Sequence, residues 1–262
     1  MLKARVVTAL FLVAGFLAVL FWLPAELAVA AFVLVPVLGA WEWARLMQAG
    51  TAGRLAFPLL VMLSCLLAYL YPDRAFLPLW GLAVLFWLAI MPAWLARSWR
   101  PGRFGYFVGW LLLVPTWAAL VGLYQRAPLL LLAVMASVWV ADSAAYFTGR
   151  AFGRHKLAPA ISPGKTWEGV GGAVVGVLVY GLFVGSALPN LQGIALLPLA
   201  AFLLLLTAFS TIGDLFESLI KRQAGMKDSS QLLPGHGGIL DRIDSQTSTL
   251  PLVALTLQLL GR

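Results

Sequence analysis

The 262-residue chain is 62% hydrophobic and only 11% charged, with a formal net charge of +8 and a mean hydropathy of +0.94. An ordinary soluble domain carries about 25% charged residues, so one protein core cannot hide this much apolar surface. The composition predicts an all-α, polytopic integral membrane protein. It excludes a secreted enzyme, a disordered tail and, despite the positive charge, a nucleic-acid-binding domain.

A membrane-crossing helix needs about 20 mostly apolar residues. Runs between charges, prolines and glycines give nine candidate spans, at 6–23, 25–44, 55–71, 76–96, 105–125, 128–148, 167–188, 194–217 and 243–260. The first follows Lys3 and Arg5, and Ala28-Val29-Ala30 imitates a cleavage site. Yet Val6–Leu23 is longer than the apolar core of a signal peptide, so a retained span is expected. Pro36 lies inside the second, where a kink is tolerable. Cys65 sits in the third as a small packing residue, with no second cysteine to pair with. The ninth is weak, because it contains Ser245-Gln246-Thr247-Ser248-Thr249. Trp22, Trp41, Trp43, Trp80, Trp99 and Trp167 lie near predicted ends, where interfacial aromatics belong.

With nine spans, fifteen of the eighteen basic residues share the side of the N-terminus, and only Arg74, Arg126 and Arg262 oppose them. The positive-inside rule then predicts a cytosolic N-terminus and an extracytosolic C-terminus, and a multi-pass place in the cell's inner membrane is expected. Seven of the ten acidic residues (Asp142, Glu168, Asp214, Glu217, Asp228, Asp241 and Asp244) fall at cytosolic span ends or in cytosolic loops of the C-terminal half. Chemistry is therefore expected there, facing the cytosol. The reading divides the chain into an N-terminal scaffold (1–72), a middle hairpin (73–126) and a C-terminal catalytic region (127–262).

Taken in order, the first polar feature is Asp142, a carboxylate inside a span and so a functional-site candidate, or else a partner for Arg150 or Lys165. His155 reads as structural; His236, between Gly235 and Gly237, reads either way. Ser162-Pro163-Gly164-Lys165-Thr166-Trp167-Glu168-Gly169 contains Gly-Lys-Thr, but Pro159 stands where a P-loop needs its first glycine. What remains is a turn into a helix N-terminus, which favours anions, with Lys165 beside it. Gly172 and Gly176 are spaced for helix packing. In the last polar stretch Asp214 and Glu217 are separated by three residues, as are Asp241 and Asp244, so each pair shares a helix face. Such oxygen-rich sites suit Mg²⁺ with substrate phosphates, and Lys221, Arg222, Lys227 and Arg242 supply phosphate donors. A merely solvated loop is the alternative.

The run Ser218-x-x-Lys221-Arg222-x-x-x-x-Lys227-Asp228-x-Ser230-x-x-Leu233-Pro234-x-His236-Gly237-Gly238-Ile239-x-Asp241-Arg242-Ile243-Asp244 resembles the signature of phosphatidate cytidylyltransferases. Asp142-Ser143-Ala144-Ala145-Tyr146 and the Ser162–Gly169 run resemble the same family, in the same order. The resemblance implies a dimeric membrane enzyme that joins CTP to phosphatidic acid, giving CDP-diacylglycerol and pyrophosphate, with Mg²⁺ and a possible second cation. It implies metal ligation by Asp214, Asp241 and Asp244, and catalytic roles for Lys221, Arg222, Lys227, Asp228, His236 and Arg242. Asp142, Ser162, Lys165, Thr166, Glu168 and Ser218 become substrate-binding candidates. The rival enzyme is another CTP-dependent lipid enzyme such as a polyprenol kinase. A transporter would need charges at mid-membrane, and an inert scaffold leaves the clustered carboxylates unexplained.

Overall fold

The computed structural model describes residues 2–261, apart from the side chains of residues 2–6 and of Asn190. The expectation for Arg262, and those for the Lys3 and Arg5 side chains, lie outside the described residues. The helices are α1 (Leu2–Phe21), α2 (Ala25–Phe32), α3 (Leu34–Leu46), α4 (Thr51–Leu70), α5 (Pro72–Leu85), α6 (Met91–Arg97), α7 (Gly105–Arg126), α8 (Pro128–Phe152), α9 (Trp167–Ala187), α10 (Leu196–Gln223) and α11 (Leu240–Leu259). Each of the nine predicted segments is helical. The second and fourth are each composite. The second breaks at Val33, so that Pro36 falls in the first turn of α3, where its missing N–H costs nothing. The fourth passes through a π-helical turn at Phe86–Ile90 before Pro92, whose absent N–H would otherwise interrupt the ladder.

Seven helical stretches among the described residues are long and apolar enough to cross a membrane: Ala25–Leu46, Thr51–Leu70, Pro72–Arg97, Gly102–Arg126, Pro128–Phe152, Trp167–Ala187 and Leu196–Gln223. Large apolar side chains face outward, among them Phe11, Leu67, Phe183 and Leu197. Burying such a side chain is worth about 1.5–3 kcal/mol, so an aqueous surface of this kind is untenable and the surrounding solvent is lipid.

Helix α7 is the central rod, buried from Leu111 to Tyr124. It packs against α3, α4, α5, α8 and α11. Helix α11 is too polar to face lipid and is not lipid-facing. Its Ser245, Gln246, Thr247, Ser248 and Thr249 are all buried. Ser245 and Ser248 hydroxyls donate to the α10 carbonyls of Ser210 (3.0 Å) and Phe209 (2.8 Å). The same polar groups that weaken the hydropathy signal tie the two helices together.

Helices α8 and α9 form the tightest antiparallel pair. A Cβ at Gly172 would lie 2.2 Å from Thr148 Oγ1, and one at Gly176 would lie 2.9 Å from Ala144 Cβ. The packing role expected of these glycines is therefore seen. Between the two helices the chain is not a simple turn, as the sequence suggested. Lys156–Ala158 (β1) and Ser162–Thr166 (β2) pair antiparallel, with Lys156 opposite Thr166 and Ala158 opposite Ser162. The all-α expectation needs that one correction: the Pro159–Ile161 turn lets both flanks satisfy their backbone groups against each other. Thr166 then caps α9, its Oγ1 accepting from Gly169 N–H at 3.1 Å.

One end of the bundle gathers the polar loops. Thr8 Oγ1 donates to Pro234 O (3.1 Å), and Gln223 Nε2 donates to the carbonyls of Ser98 and Trp99 (both 3.0 Å). At the other end Arg126, closing α7, bonds Gln258 near the end of α11.

Candidate active site

The polar end is built around α10 and α11. Gly213 lets them approach: a Cβ there would meet Ser248 Oγ at 2.7 Å and Asp244 O at 2.8 Å. That close crossing brings the carboxylates of Asp214 and Asp244 within mutual electrostatic reach, together with Asp142 from α8. Lys221 is buried between Glu217 Oε2 (2.6 Å) and Asp241 Oδ1 (2.5 Å), and so links α10 to α11. Lys165, carried in by β2, holds Asp214 Oδ2 at 2.5 Å.

Two cavities meet at this cluster, and Asp142 and Asp214 line both. The smaller, of about 420 Å³, is lined by Ser162, Lys165, Thr166, Tyr146 and Arg150. The larger, of about 700 Å³, has Asp228, His236, Arg242 and Asp244 on its polar side. Its other wall is apolar: Leu12, Val13 and Phe16 of α1, Phe32 of α2, and Trp139 of α8. The smaller chamber also has an apolar side, from Ala141, Ala145, Leu157, Val170 and Ala173, so both are amphiphilic, with carboxylates at their junction.

The loop from Ala224 to Ile239 frames the larger chamber and is held by two buried carboxylates. Asp241 Oδ2 accepts from the N–H groups of Ser229 (2.9 Å) and Gly238 (2.8 Å) and from Ser229 Oγ (2.8 Å). Glu42, from α3, accepts from Ser230 Oγ (2.6 Å), Ser229 Oγ (3.0 Å), and the N–H groups of Ile239 (2.9 Å) and Leu240 (2.7 Å). The glycines of the loop answer to this. A Cβ on Gly238 would lie 2.3 Å from Glu42 Oε1, and Gly237, at φ +81°, backs onto Asp241.

The predicted site residues divide accordingly. Asp142, Ser162, Lys165, Thr166, Asp214, Lys221, Asp228, His236, Asp241, Arg242 and Asp244 line one chamber or both. Four others border neither. Arg222 donates to Met226 O at 3.3 Å, and Lys227 is exposed. Ser218 donates to Asp214 Oδ1 at 3.3 Å. Glu168 accepts from His155, 2.6 Å from its Nδ1, which agrees with the structural reading of that histidine. The residue missed from sequence is Glu42. It sits in the half read as scaffold, and its only signal was a carboxylate placed inside an otherwise apolar span.

A hard divalent cation takes oxygen donors, which this cluster supplies. Among the described residues no three His, Cys, Asp or Glu side chains converge as a preformed cage. Magnesium does not need one, since it takes one or two carboxylates with substrate phosphates. Among the described residues nothing donates to or pairs with the Asp142 carboxylate, and that of Asp244 accepts only through Oδ1, from Ser245 N–H at 2.7 Å. Free carboxylate oxygens therefore face the chamber junction, and the set fits. Asp241 differs from its neighbours: both its oxygens are already taken by protein donors.

Comparison with known proteins gives a consistent picture. A family model described as the cytidylyltransferase family matches residues 3–260. The phosphatidate cytidylyltransferase of Pseudomonas aeruginosa is 44% identical over 276 residues, covering 100% of this chain and 98% of that protein. The Haemophilus influenzae protein of the same name is 37% identical over 291 residues, covering 96% of each. An uncharacterized Escherichia coli protein, YnbB, is 43% identical over 142 residues, covering 54% of this chain and 45% of its own length.

Proposed function

The chain belongs to the cytidylyltransferase family, and from that premise we propose that it transfers the cytidylyl group of CTP to phosphatidic acid, leaving CDP-diacylglycerol in the bilayer and releasing pyrophosphate. The observation that carries the reading is the pair of chambers joined at Asp142 and Asp214. A reaction between a water-soluble nucleotide and a two-tailed lipid needs two compartments that meet at the reacting phosphorus, the lipid's with an apolar wall for its acyl chains. The smaller chamber, which offers Ser162, Lys165, Thr166 and Arg150 to phosphates, suits CTP. The larger chamber suits the lipid, with its acyl chains against Leu12, Val13 and Phe16 and its phosphate toward Arg242.

The phosphate monoester is already an anionic nucleophile at neutral pH, so the protein need not supply a strong base. An oxygen of the lipid phosphate attacks the α-phosphorus in line, and the bond to the pyrophosphate oxygen breaks. Lys165 exchanges Asp214 for nucleotide phosphate, and Arg242, whose side chain makes no hydrogen bond or ion pair among the described residues, offsets charge on the lipid side. Lys221 holds Glu217 and Asp241 and thereby fixes the two helices relative to each other. Asp214 and Asp244, with Asp142 beside them, would hold Mg²⁺, whereas Asp241 serves as an anchor of the loop. The ion would stabilise charge on the attacking and leaving oxygens. The clustering of basic loops at the chamber end supports nine crossings and a site facing the cytosol, by the positive-inside rule; an inner-membrane location goes with that reading.

The decisive experiment follows the bond that breaks. With purified protein, phosphatidic acid and Mg²⁺, CTP labelled at the α-phosphorus should pass its label into lipid, while γ-label appears in pyrophosphate. A lipid kinase gives the reverse, with γ-label in lipid and CDP released, and that outcome would overturn the reading.

A further inference from the structure

Glu42 is the one acidic residue of the N-terminal half that is fully buried, at 0% exposure. Burying an isolated carboxylate is costly, and among the described residues no lysine or arginine pairs with it. Its compensation comes from four hydrogen bonds, two from the serines of the loop and two from the backbone N–H groups of Ile239, which precedes α11, and of Leu240, which begins it. A carboxylate at a helix N-terminus is favoured both by the unsatisfied N–H groups and by the helix dipole. The arrangement joins α3 to a loop nearly 200 residues away, at separations of 187 to 198.

What the clamp fixes is the starting point of α11. Ile239 and Leu240 immediately precede Asp241 and Arg242, and Asp244 lies one turn further on. A helix started from a different point, or a loop slipped by one residue, would carry Arg242 and Asp244 off the chamber wall. Ser229 Oγ lies between the two carboxylates, 3.0 Å from Glu42 and 2.8 Å from Asp241, so the loop is anchored from both helices at one residue. Gly238 leaves room for this contact and for no side chain.

We propose that Glu42 is a positioning residue for nucleotidyl transfer, which sets the register of the 224–239 loop and of the first turn of α11 so that Arg242 and Asp244 reach the reacting phosphates. Its kinetic consequence rests on the function proposed above; its structural consequence does not. Glutamine keeps the shape of Glu42 but must present an N–H₂ to a backbone N–H that cannot turn away. Full-length Glu42→Gln should therefore lose about tenfold or more in kcat per folded molecule, as small displacements at a reacting centre do. KM for CTP should stay within about threefold, because the charge of the chambers is unchanged. Glu42→Asp, which keeps the charge and can still accept from both backbone N–H groups, should recover part of that loss. A residue with a merely structural role would lower thermal stability and leave kcat per folded molecule intact.

Hydrogen exchange supplies a readout independent of turnover: amides 238–240 should exchange faster in Glu42→Gln while those of α7 keep their protection. Should Glu42→Gln fail to fold, Ser230→Ala removes the 2.6 Å bond to Glu42, together with the 3.1 Å bond that Ser230 Oγ accepts from Leu232 N–H, and should lower kcat and amide protection at 238–240 in the same direction. Wild-type kcat together with wild-type exchange at 238–240, in whichever of the two variants folds, would overturn the proposal. If the wild-type protein makes no CDP-lipid, the function fails separately and the exchange result decides on Glu42.

Discussion

Carboxylates of similar sequence context do different work at this site, and the difference lies in what each oxygen touches. Asp241 is saturated by Lys221, Ser229 and Gly238, so it belongs to the framework. Asp142 and Asp244 keep oxygens free while lying within reach of Asp214, in a cluster that repels itself. Such repulsion persists where function requires it. Asp244→Asn should thus nearly abolish turnover, by about 10²–10³ as for loss of a key charge contact, while its melting temperature holds or rises. Removing one negative charge from the cluster relieves strain rather than adding it. Steady-state kinetics beside a thermal melt in detergent check both halves. If Asp214→Asn and Asp244→Asn each kept more than half of wild-type activity, the assignment would fail.

Helices α10 and α11 show how an element is placed by what it buries. Hydropathy alone makes α11 the weakest span, yet its serines and threonines find partners on α10 or on its own backbone, and Trp87 donates to Thr247 O at 3.1 Å. The crossing depends on Gly213, where an added methyl meets a carbonyl that cannot move aside. Gly213→Ala should destabilise by about 1–3 kcal/mol, the usual cost of overpacking, and should lower activity by spreading Asp214 from Asp244. Gly171, with open space at its Cβ position, is the matched control on α9. Melting temperatures that fall equally for Gly171→Ala and Gly213→Ala would count against the role given to this crossing.

For the molecule as a whole, the helices alternate so that the loops near Pro234, Ser98 and the α8–α9 hairpin meet at one end, and Arg126 meets Gln258 at the other. The basic residues concentrate at the first end. Single cysteines at Lys227 and Gly193, in a Cys65→Ala background, test which end faces the cytosol. An impermeant thiol reagent applied to intact cells should label position 193 and spare position 227. The opposite pattern would invert the topology, and with it the side from which CTP enters.

Much of this was legible in the residues because it depends on local pattern. Apolar run length marked where the helices lie, since each must satisfy its own backbone groups in lipid, but not the breaks at Val33 and at Phe86–Ile90. The spacing of Asp214, Glu217, Asp241 and Asp244 marked the polar end of the bundle, and the signature from Ser218 to Asp244 pointed to the family that the comparisons then showed. What the sequence could not contain was long-range pairing. The hairpin at 156–166 exists because its two flanks meet across a turn. Asp241 and Asp244, three residues apart on one helix, differ because Lys221 and the loop take both oxygens of the first, whereas the second accepts only from Ser245 N–H among the described residues. Glu42 looked like scaffold because its partners lie in a loop nearly 200 residues further along the chain, and only the folded helices bring a buried carboxylate to the N–H groups that compensate it.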